Sequence, residues 1–178
     1  GTLIGIIRHK GWIPHDGDID VAMLETEWKK FKEVSKNILS TKYWIQDTDT
    51  DKNYKLCQKK IRHKYSCYKN GNEKYHLGLM IDIFPYERKG NLLKFKRKTE
   101  FKDLKNYDYN FIFPLKEAYF EDILVYVPNK YKEYSKLNWG SYPPKVLDKD
   151  KKFPHEGIIN PNKTCKFHYK MYPNMYPN

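Results

Sequence analysis

Apolar residues recur at helical spacing in two segments near the start of the chain. Between Thr2 and His9 they lie about one helical turn apart, and Gly11 follows where such a helix would end. The same spacing returns between Thr26 and Leu39, with Thr26 as the expected N-cap. The pattern therefore predicts a short helix and a longer amphipathic helix, separated by a segment of different character.

That intervening segment, "WIPHDGDIDVAM", changes from turn-forming residues to an alternation of apolar and acidic residues. Proline and the Asp-Gly pair favour a turn, and alternation with a period of two is typical of a strand. Two further segments, Leu56 to Tyr68 and His76 to Phe84, flank the turn-forming pair Asn70-Gly71. We expect them to form two antiparallel strands.

The pattern is less regular in the second half of the chain. It predicts a Lys-rich helix over Leu92 to Leu104, an extended segment over 123–127 and a helix over Lys130 to Leu137. From Lys151 onwards the chain is rich in Pro, Asn and Lys, which is typical of loop or disorder. We therefore predict one catalytic domain over residues 1–150, followed by a tail over 151–178.

Charge narrows the class of partner. The 178 residues carry a net charge of +12, which favours an anionic partner such as phosphate groups, nucleic acid or a membrane surface. Eight Lys or Arg residues and one Glu lie from Lys52 to Lys74, and a second basic run extends from Arg88 to Lys102. Two solvated lysine-rich faces would give the same pattern, so charge alone leaves the partner open.

The three cysteines, Cys57, Cys67 and Cys165, argue against two kinds of framework. Because their number is odd and they lack CxxC spacing, we expect neither a disulfide framework nor a structural zinc site. No segment approaches the ~18 consecutive apolar residues of a membrane span. We expect contact with a membrane only through a segment preceding Gly1.

Four aspartates are the strongest candidates for chemistry: Asp16, Asp18, Asp20 and Asp82. Side chains two apart on a strand point to the same face, so Asp18 and Asp20 would point together. Ile19 and Val21 would then face the core. Asp82 interrupts the apolar run "LGLMIDIFPY", where a buried carboxylate needs a metal, a base or hydrogen bonds.

Three carboxylates converge if the strand of Asp82 lies beside that of Asp18 and Asp20. Hard divalent ions such as Mg²⁺ or Mn²⁺ take oxygen ligands and neutralise phosphate charge. The alternative is that these aspartates cap turns or accept backbone hydrogen bonds. A calcium-binding loop starting at Asp16 fails at its sixth position, where Val21 replaces the required glycine.

Three basic residues are candidates for phosphate contact. Arg8 lies just before the acidic loop, and its guanidinium suits phosphate oxygens, although a plain surface cation is the alternative. Lys60 and Arg62 alternate on one face of their strand, which would let both meet a diphosphate.

The segment "GTLIGIIRHKGWIPHDGDIDVAM" resembles the opening signature of the LicD, fukutin and fukutin-related protein family. The segments "IDIFPYE" at 81–87 and "FPLKEAYFEDILVYVPNKYKEYSKLNWGSYPP" at 113–144 resemble later blocks of that family in the same order. The resemblance implies an α+β, nucleotidyltransferase-like fold with a mixed sheet flanked by helices. It also implies transfer of a phosphorylated alcohol, of the phosphocholine or ribitol phosphate type, from a CDP-linked donor to a glycan.

The resemblance assigns roles by position. Gly1 and Thr2 match the turn that cradles the donor phosphates. The aspartates of the acidic signature are matched by Asp16, Asp18 and Asp20, and Asp82 matches the acidic residue of the later block. We therefore expect a metal-dependent phosphotransferase in which Asp18, Asp20 and Asp82 bind Mg²⁺ or Mn²⁺. Its acceptor would be a glycoprotein, a polysaccharide or a glycolipid.

Two other functions stay open. Nucleotidyl transfer from an NTP to a small acceptor would use the same carboxylates and release pyrophosphate. A basic nucleic-acid-binding domain would account for the charge and the 16 tyrosines. We rank it third, because clustered acids repel phosphate unless a metal is bound. The sequence does not identify the alcohol, the acceptor or the compartment.

Overall fold

A computed structural model of the chain describes residues 1–14, 16–69, 71–95, 105–145 and 157–176. Helices and strands alternate irregularly along these residues, which gives the α+β class expected from the sequence. The helices are α1 (Thr2–Arg8), α2 (Glu25–Ile38), α3 (Tyr109–Ile112), α4 (Tyr131–Trp139) and α5 (Lys166–Met171). The strands are β1 (Ile19–Leu24), β2 (Tyr43–Gln46), β3 (Lys59–His63), β4 (Cys67–Lys69), β5 (Met80–Lys89), β6 (Leu92–Phe95), β7 (Tyr107–Asp108), β8 (Lys116–Phe120), β9 (Ile123–Val127) and β10 (Ile158–Asn160).

The main sheet is mixed and is built around β5. Strand β3 pairs with the first half of β5 in antiparallel fashion, and β1 pairs with it in parallel. The last residues of β5 pair with β6, while β2 and β7 extend the sheet beyond β3 and β6. The expected antiparallel pairing between the segments after Leu56 and after His76 is thus confirmed, although β3 is shorter than predicted and β5 begins later and extends to Lys89.

Helix α2 covers one face of this sheet. Trp28 of α2 is buried against Ile45 and Ile83, which lie on β2 and β5. Because side chains alternate between the two faces of a strand, the residues next to these in sequence lie on the opposite face. The apolar core therefore takes one face of the sheet and leaves the other face for polar side chains.

The junction between β1 and α2 differs from the prediction at two points. The helix begins directly after the strand, with Leu24 as its N-cap and no side-chain capping bond, so Thr26 is not the cap. Val21 is exposed over 38% of its surface and does not enter the core. Met23, two residues further along β1, packs against the core under α2 instead.

Strands β8 and β9 form a hairpin that packs against α1. Phe120 and Val127 of the hairpin bury their side chains with Ile6 of α1. At the hairpin turn, the Glu121 carboxylate accepts a hydrogen bond of 3.2 Å from the backbone N–H of Trp12. The helices predicted from Thr2 and from Lys130 and the strand predicted at 123–127 are confirmed as α1, α4 and β9. The hairpin thus supports both α1 and the loop that follows it.

Two predictions fail in the second half of the chain. Residues 92–95 form β6 and not the start of a helix, and 96–104 lie outside the described residues. We expected loop or disorder from residue 151, yet the described part of that tail contains β10, paired with β4, and α5. The predicted domain boundary at residue 150 lies outside the described residues.

A disulfide between Cys67 and Cys165 joins this C-terminal segment to β4, contrary to our expectation of no disulfide framework. Cys57 is buried and free. The spacing rule fails here because the two bonded cysteines are 98 residues apart in sequence and come together only through the pairing of β10 with β4.

Candidate active site

Polar side chains form a row across the face of the main sheet that α2 leaves uncovered. In the register of the sheet, Gln46 pairs with Lys60, Lys60 with Asp82, and Asp82 with Asp20. These residues lie on β2, β3, β5 and β1, and neighbouring strands are about 4.8 Å apart. The row therefore brings together two predicted carboxylates and one predicted phosphate ligand.

Lys60 and Asp82 form a buried ion pair at the centre of this row. The Lys60 ammonium donates to both oxygens of the Asp82 carboxylate. Only 4% of Lys60 and 9% of Asp82 are exposed to solvent. Burial lowers the pKa of Lys60, and the Asp82 carboxylate acts against that shift. The carboxylate is therefore what favours the charged form of this amine inside the sheet.

Asp20 lies next in the row and is crowded by other carboxylates. Burial raises its pKa to about 6, and the charges of Asp18, Asp82 and Asp16 add to that effect. Burial and negative neighbours both disfavour the charged form of this carboxylate, and a nearby cation would offset them. The other three aspartates predicted from the sequence thus all raise the pKa of the fourth, Asp20.

The residues that begin α1 lie beside these aspartates. The Thr2 hydroxyl accepts a hydrogen bond of 2.9 Å from the backbone N–H of Asp20. A side-chain carbon added at Gly1 would clash with the Asp16 carboxylate, so only glycine fits there without a shift. The structure thus brings Gly1 and Thr2 to the carboxylates, while their contact with a donor phosphate stays a prediction.

Arg62 shares the face of Lys60 but is held by neutral partners. Its Nε atom donates to the Gln46 side-chain oxygen at 2.7 Å, and Nη1 donates to the carbonyl of Gly78 at 2.7 Å. Gln46 in turn donates to Asp51 at 2.7 Å. Lys60 and Arg62 are both buried. The interpretation of the basic runs as solvated faces would have placed them in water.

A small cavity of about 100 Å³ lies against this face of the sheet, lined by Lys60, Arg62, Tyr68, Glu73, Tyr75, Leu77 and Met80. Glu73, one oxygen of which is buried without a hydrogen-bond partner, is the acidic residue of this lining, beside the two cations. A larger, open cavity of about 500 Å³ lies elsewhere, lined by aromatic residues that include Tyr109 and Tyr126.

Arg8 is placed differently from the other predicted phosphate ligands. Its Nη1 atom donates to the carbonyl of Pro144 at 3.3 Å, and its Nε atom is buried without a partner. The contact connects the end of α1 to the segment after α4. A role for Arg8 in phosphate binding stays a prediction.

Sequence reasoning missed three supports of the site. The Lys60–Asp82 pair and the place of Gln46 follow from strand register, which no local pattern encodes. Glu121 fixes the loop before Asp16 by accepting from Trp12, over a separation of 109 residues. The alternation of Lys60 and Arg62 and the predicted convergence of Asp20 and Asp82 were the sequence features that pointed to this face.

The carboxylate oxygens of these aspartates are the kind of ligand that a hard divalent ion prefers. Within the described ranges, however, no three His, Cys, Asp or Glu side chains are arranged to hold a metal ion, and Asp82 is engaged with Lys60. A metal at Asp82 would therefore share this carboxylate with the Lys60 ammonium. As for membranes, none of the helices in the described part of the chain has both the length and the apolar character of a span.

Comparison with known proteins agrees with the resemblance of the signature segments. A family model described as the nucleotidyltransferase domain of LicD/FKTN/FKRP matches residues 1–130. Lipopolysaccharide cholinephosphotransferase LicD of Haemophilus influenzae is 50% identical over 48 residues, which are 27% of this chain and 15% of that protein. Uncharacterized protein RP689 of Rickettsia prowazekii is 22% identical over 129 residues, 72% of this chain and 41% of that protein. The chain thus spans less than half the length of either relative.

Proposed function

The chain belongs to the LicD/FKTN/FKRP family, and on that premise we propose that it is a metal-dependent phosphotransferase. The reaction moves a phosphorylated alcohol, of the phosphocholine or ribitol phosphate type, from a CDP-linked donor to a glycan hydroxyl. One relative is a lipopolysaccharide cholinephosphotransferase by name, which supports a phosphorylated alcohol and a glycan-type acceptor. The observation that carries the proposal is the register pairing of Asp20 with Asp82 beside Asp18.

In this scheme Asp18, Asp20 and Asp82 hold Mg²⁺ or Mn²⁺. When bound, the ion neutralises charge on the donor phosphates. Gly1 and Thr2 lie beside the same carboxylates and provide close backbone approach to those phosphates. Lys60 and Arg62 lie on the neighbouring strand β3, but both are buried and bonded within the protein, so their contact with the diphosphate stays a prediction.

The chemistry assigned to the side chains is a displacement at phosphorus. The glycan hydroxyl oxygen forms a bond to the phosphorus that carries the alcohol, and the bond from that phosphorus to CMP breaks. The hydroxyl proton passes to a carboxylate, for which Asp16 and Asp82 are the two candidates. Asp16 suits this role better, because Asp82 is already engaged with Lys60. CMP leaves with the electron pair of the broken bond.

The direct test is replacement of Asp20. Asp20→Asn keeps the shape of the side chain and removes a charge from the ligand set, so we expect CMP release to fall by at least about a hundredfold. The measurement is CMP release from a panel of CDP-alcohols with Mg²⁺ and candidate glycans. Asp49→Asn is the matched control, because the Asp49 side chain is exposed and its bonds are to Lys32 and to its own loop. Full activity of Asp20→Asn would contradict the scheme.

Nucleotidyl transfer from an NTP is the second candidate, and the family description as a nucleotidyltransferase domain favours it. The same carboxylates would serve, with a different leaving group. Incubation with NTPs and analysis of products separates the two functions, since pyrophosphate release supports nucleotidyl transfer and CMP release supports phosphotransfer.

A further inference from the structure

One large aromatic side chain stands exposed on the loop that leads from α1 to Asp16. Trp12 is 45% exposed to solvent, although an aromatic side chain of this size contributes most to stability when it is covered. The proposed transfer gives this side chain no part. Its position therefore needs a separate explanation.

Trp12 lies close to the aspartate proposed as the base. The backbone N–H of Asp16 donates to the carbonyl of Ile13 at 3.0 Å, which closes a turn. A turn of this kind brings its first and last Cα atoms within about 7 Å, and one further residue adds about 3.8 Å. The Cα atoms of Trp12 and Asp16 are therefore at most about 11 Å apart.

The β8–β9 hairpin holds the backbone of this loop. The Glu121 carboxylate accepts from the N–H of Trp12 at 3.2 Å, and the N–H of Glu121 donates to the carbonyl of Lys10 at 2.6 Å. Lys10 and Glu121 have φ values of 59° and 53°, which residues other than glycine rarely adopt. Such conformations persist where the surroundings hold them, and they are concentrated at functional sites.

The indole ring itself contacts a buried aromatic ring. The ring centroids of Trp12 and Phe120 are 5.2 Å apart with an angle of 78° between their planes, and Phe120 is buried with Ile6 of α1. A Cβ atom added at Gly11 would clash with the Glu121 carboxylate, so glycine allows the close approach of loop and hairpin. The fold thus presents a partly exposed indole in one orientation, and preorganisation of this kind favours binding.

We propose that the Trp12 indole is the stacking platform for a sugar ring of the acceptor glycan. The inference rests on the proposed function, because it takes Asp16 as the carboxylate that receives the proton of the acceptor hydroxyl. It names a residue that holds the acceptor, which the proposed function leaves unassigned.

The chemistry of an indole matches that of a sugar ring. The face of an aromatic ring is negative, and the C–H bonds on the face of a sugar are weak donors, so the two surfaces attract each other. The indole N–H can also donate to a sugar hydroxyl. Because a tryptophan has only two side-chain torsions, it offers a large contact area at a small cost in conformational entropy.

Position favours the acceptor over the donor as the ligand of Trp12. The donor phosphates are assigned to Gly1 and Thr2 at the start of α1, whereas Trp12 follows the end of that helix. A helix of seven residues is about 10 Å long, which separates the two ends. Asp16 lies against Gly1. A glycan that extends from Trp12 toward Asp16 therefore approaches the base from the side opposite the donor phosphates.

The test is binding of lactose, cellobiose and chitobiose to the whole chain, measured by NMR titration without a donor. Trp12→Ala removes the platform, so we expect the affinity for these sugars to fall about tenfold, while Trp12→Phe keeps an aromatic face and should retain most of it. Trp139→Ala is the matched control, because Trp139 is 36% exposed and lies at the end of α4. The inference is overturned if the unaltered protein binds none of the three sugars, or if Trp12→Ala binds them equally well.

The hairpin gives a second test of the same inference. Glu121→Ala removes the acceptor of the Trp12 N–H, so we expect sugar affinity to fall several-fold. Glu121→Gln keeps an acceptor oxygen and should retain the affinity. Adding Glu121→Ala to Trp12→Ala should cause no further loss, because the indole is already absent. An equal loss in both backgrounds would overturn the inference that the hairpin presents the indole.

Kinetics separate a binding role from a structural one. In the CMP-release assay, Trp12→Ala should raise the KM of the glycan about tenfold and leave kcat and the KM of the CDP-alcohol nearly unchanged. A rise in the KM of the CDP-alcohol alone would mean that the indole contacts the donor, and a fall in kcat alone would indicate a structural role. Either result overturns the inference.

Failure of the inference and failure of the proposed function give different results. CMP release whose glycan KM is unaffected by Trp12→Ala overturns the inference and leaves the proposed transfer intact. Sugar binding that depends on Trp12, in a protein that releases no CMP from any CDP-alcohol, supports the platform and overturns the proposed transfer.

Discussion

At Asp20 the backbone and the side chain serve different purposes. The N–H is bonded to the Thr2 hydroxyl, which joins the start of α1 to β1. The carboxylate stands among Asp16, Asp18 and Asp82, where burial and negative charge raise its pKa to about 6. Thr2 therefore helps to hold the backbone from which this carboxylate projects.

Replacing Thr2 tests that role. Thr2→Val keeps the branched shape and removes the acceptor, which leaves the Asp20 N–H without its partner. We expect the free energy of unfolding to fall by about 1 kcal/mol, measured by urea denaturation. Thr2→Ser keeps the hydroxyl and should retain most of that stability. Equal loss in both variants would show that the methyl group matters and the hydrogen bond does not.

At the scale of elements, the C-terminal segment contacts residues that hold the polar row of the sheet. The Tyr172 hydroxyl donates to Asp51 at 2.9 Å, and Asp51 also accepts from Gln46, the first residue of the polar row. The Cys67–Cys165 disulfide holds this segment to β4. A connected set of contacts thus runs from Tyr172, the C-cap of α5, to the sheet face that carries the polar row.

Removal of the disulfide should therefore weaken the fold. The bond closes a loop of 98 residues, and cross-links of this kind contribute roughly 2–4 kcal/mol. We expect Cys165→Ser to lower the free energy of unfolding by that amount in a urea titration under non-reducing conditions.

Cys57→Ser controls for the loss of a buried thiol as such, because Cys57 is buried and unbonded. A reducing agent should destabilise the unaltered protein and leave Cys165→Ser unchanged. If reduction has no effect on the unaltered protein, the cross-link does not contribute to stability.

The elements that the sequence predicted are those whose residue pattern is complete within a short stretch of chain. Helix α2 and strand β9 follow from spacing that is visible in a short window, and the aspartates were found by the same means. Strand β6 was missed because its four residues precede a lysine-rich run that favours a helix. The order at 157–176 was missed because a strand of three residues and a helix of six gain their stability from distant partners.

The same limit applies within the site. Asp82 was identified because a carboxylate in an apolar run is conspicuous, but its pairing with Lys60 depends on the register of β3 against β5. The support that Glu121 gives to the acidic loop depends on a hairpin more than 100 residues away. Contacts of this kind are set by the tertiary fold and leave no local pattern.

For the whole molecule, two buried histidines make stability depend on pH. His76 and His168 stack at 4.1 Å and are fully buried. Burial lowers the pKa of His76 to about 2, with the charges of His168 and Arg62 adding to it, and burial lowers that of His168 to about 4. Both rings are therefore neutral in the folded protein at pH 5, while in the unfolded chain they are protonated.

This difference in bound protons sets the direction in which stability changes with pH. Between the folded pKa and the unfolded value near 6.5 the unfolded chain binds more protons, so stability falls as the pH drops below about 6.5. His168→Gln removes one of these groups. We expect the loss of unfolding free energy between pH 7 and pH 5 to be smaller by about 1–2 kcal/mol in that variant, measured by urea denaturation.

His9→Gln is the matched control, because His9 is exposed at the end of α1. Between pH 7 and pH 5, the His9→Gln variant should lose as much unfolding free energy as the unaltered protein. If His168→Gln shows the same loss as the unaltered protein, the buried stack is not the source of acid sensitivity.

The polar row also bears on how the chain finds its own register during folding. Pairing of β1 with β5 shifted by one residue would turn Asp20 toward the apolar layer under α2 and bring Ile19 or Val21 to the polar face. A carboxylate in that layer would have no partner and would cost several kcal/mol. The carboxylates that we propose for ligand binding therefore also disfavour a misaligned sheet while the chain folds.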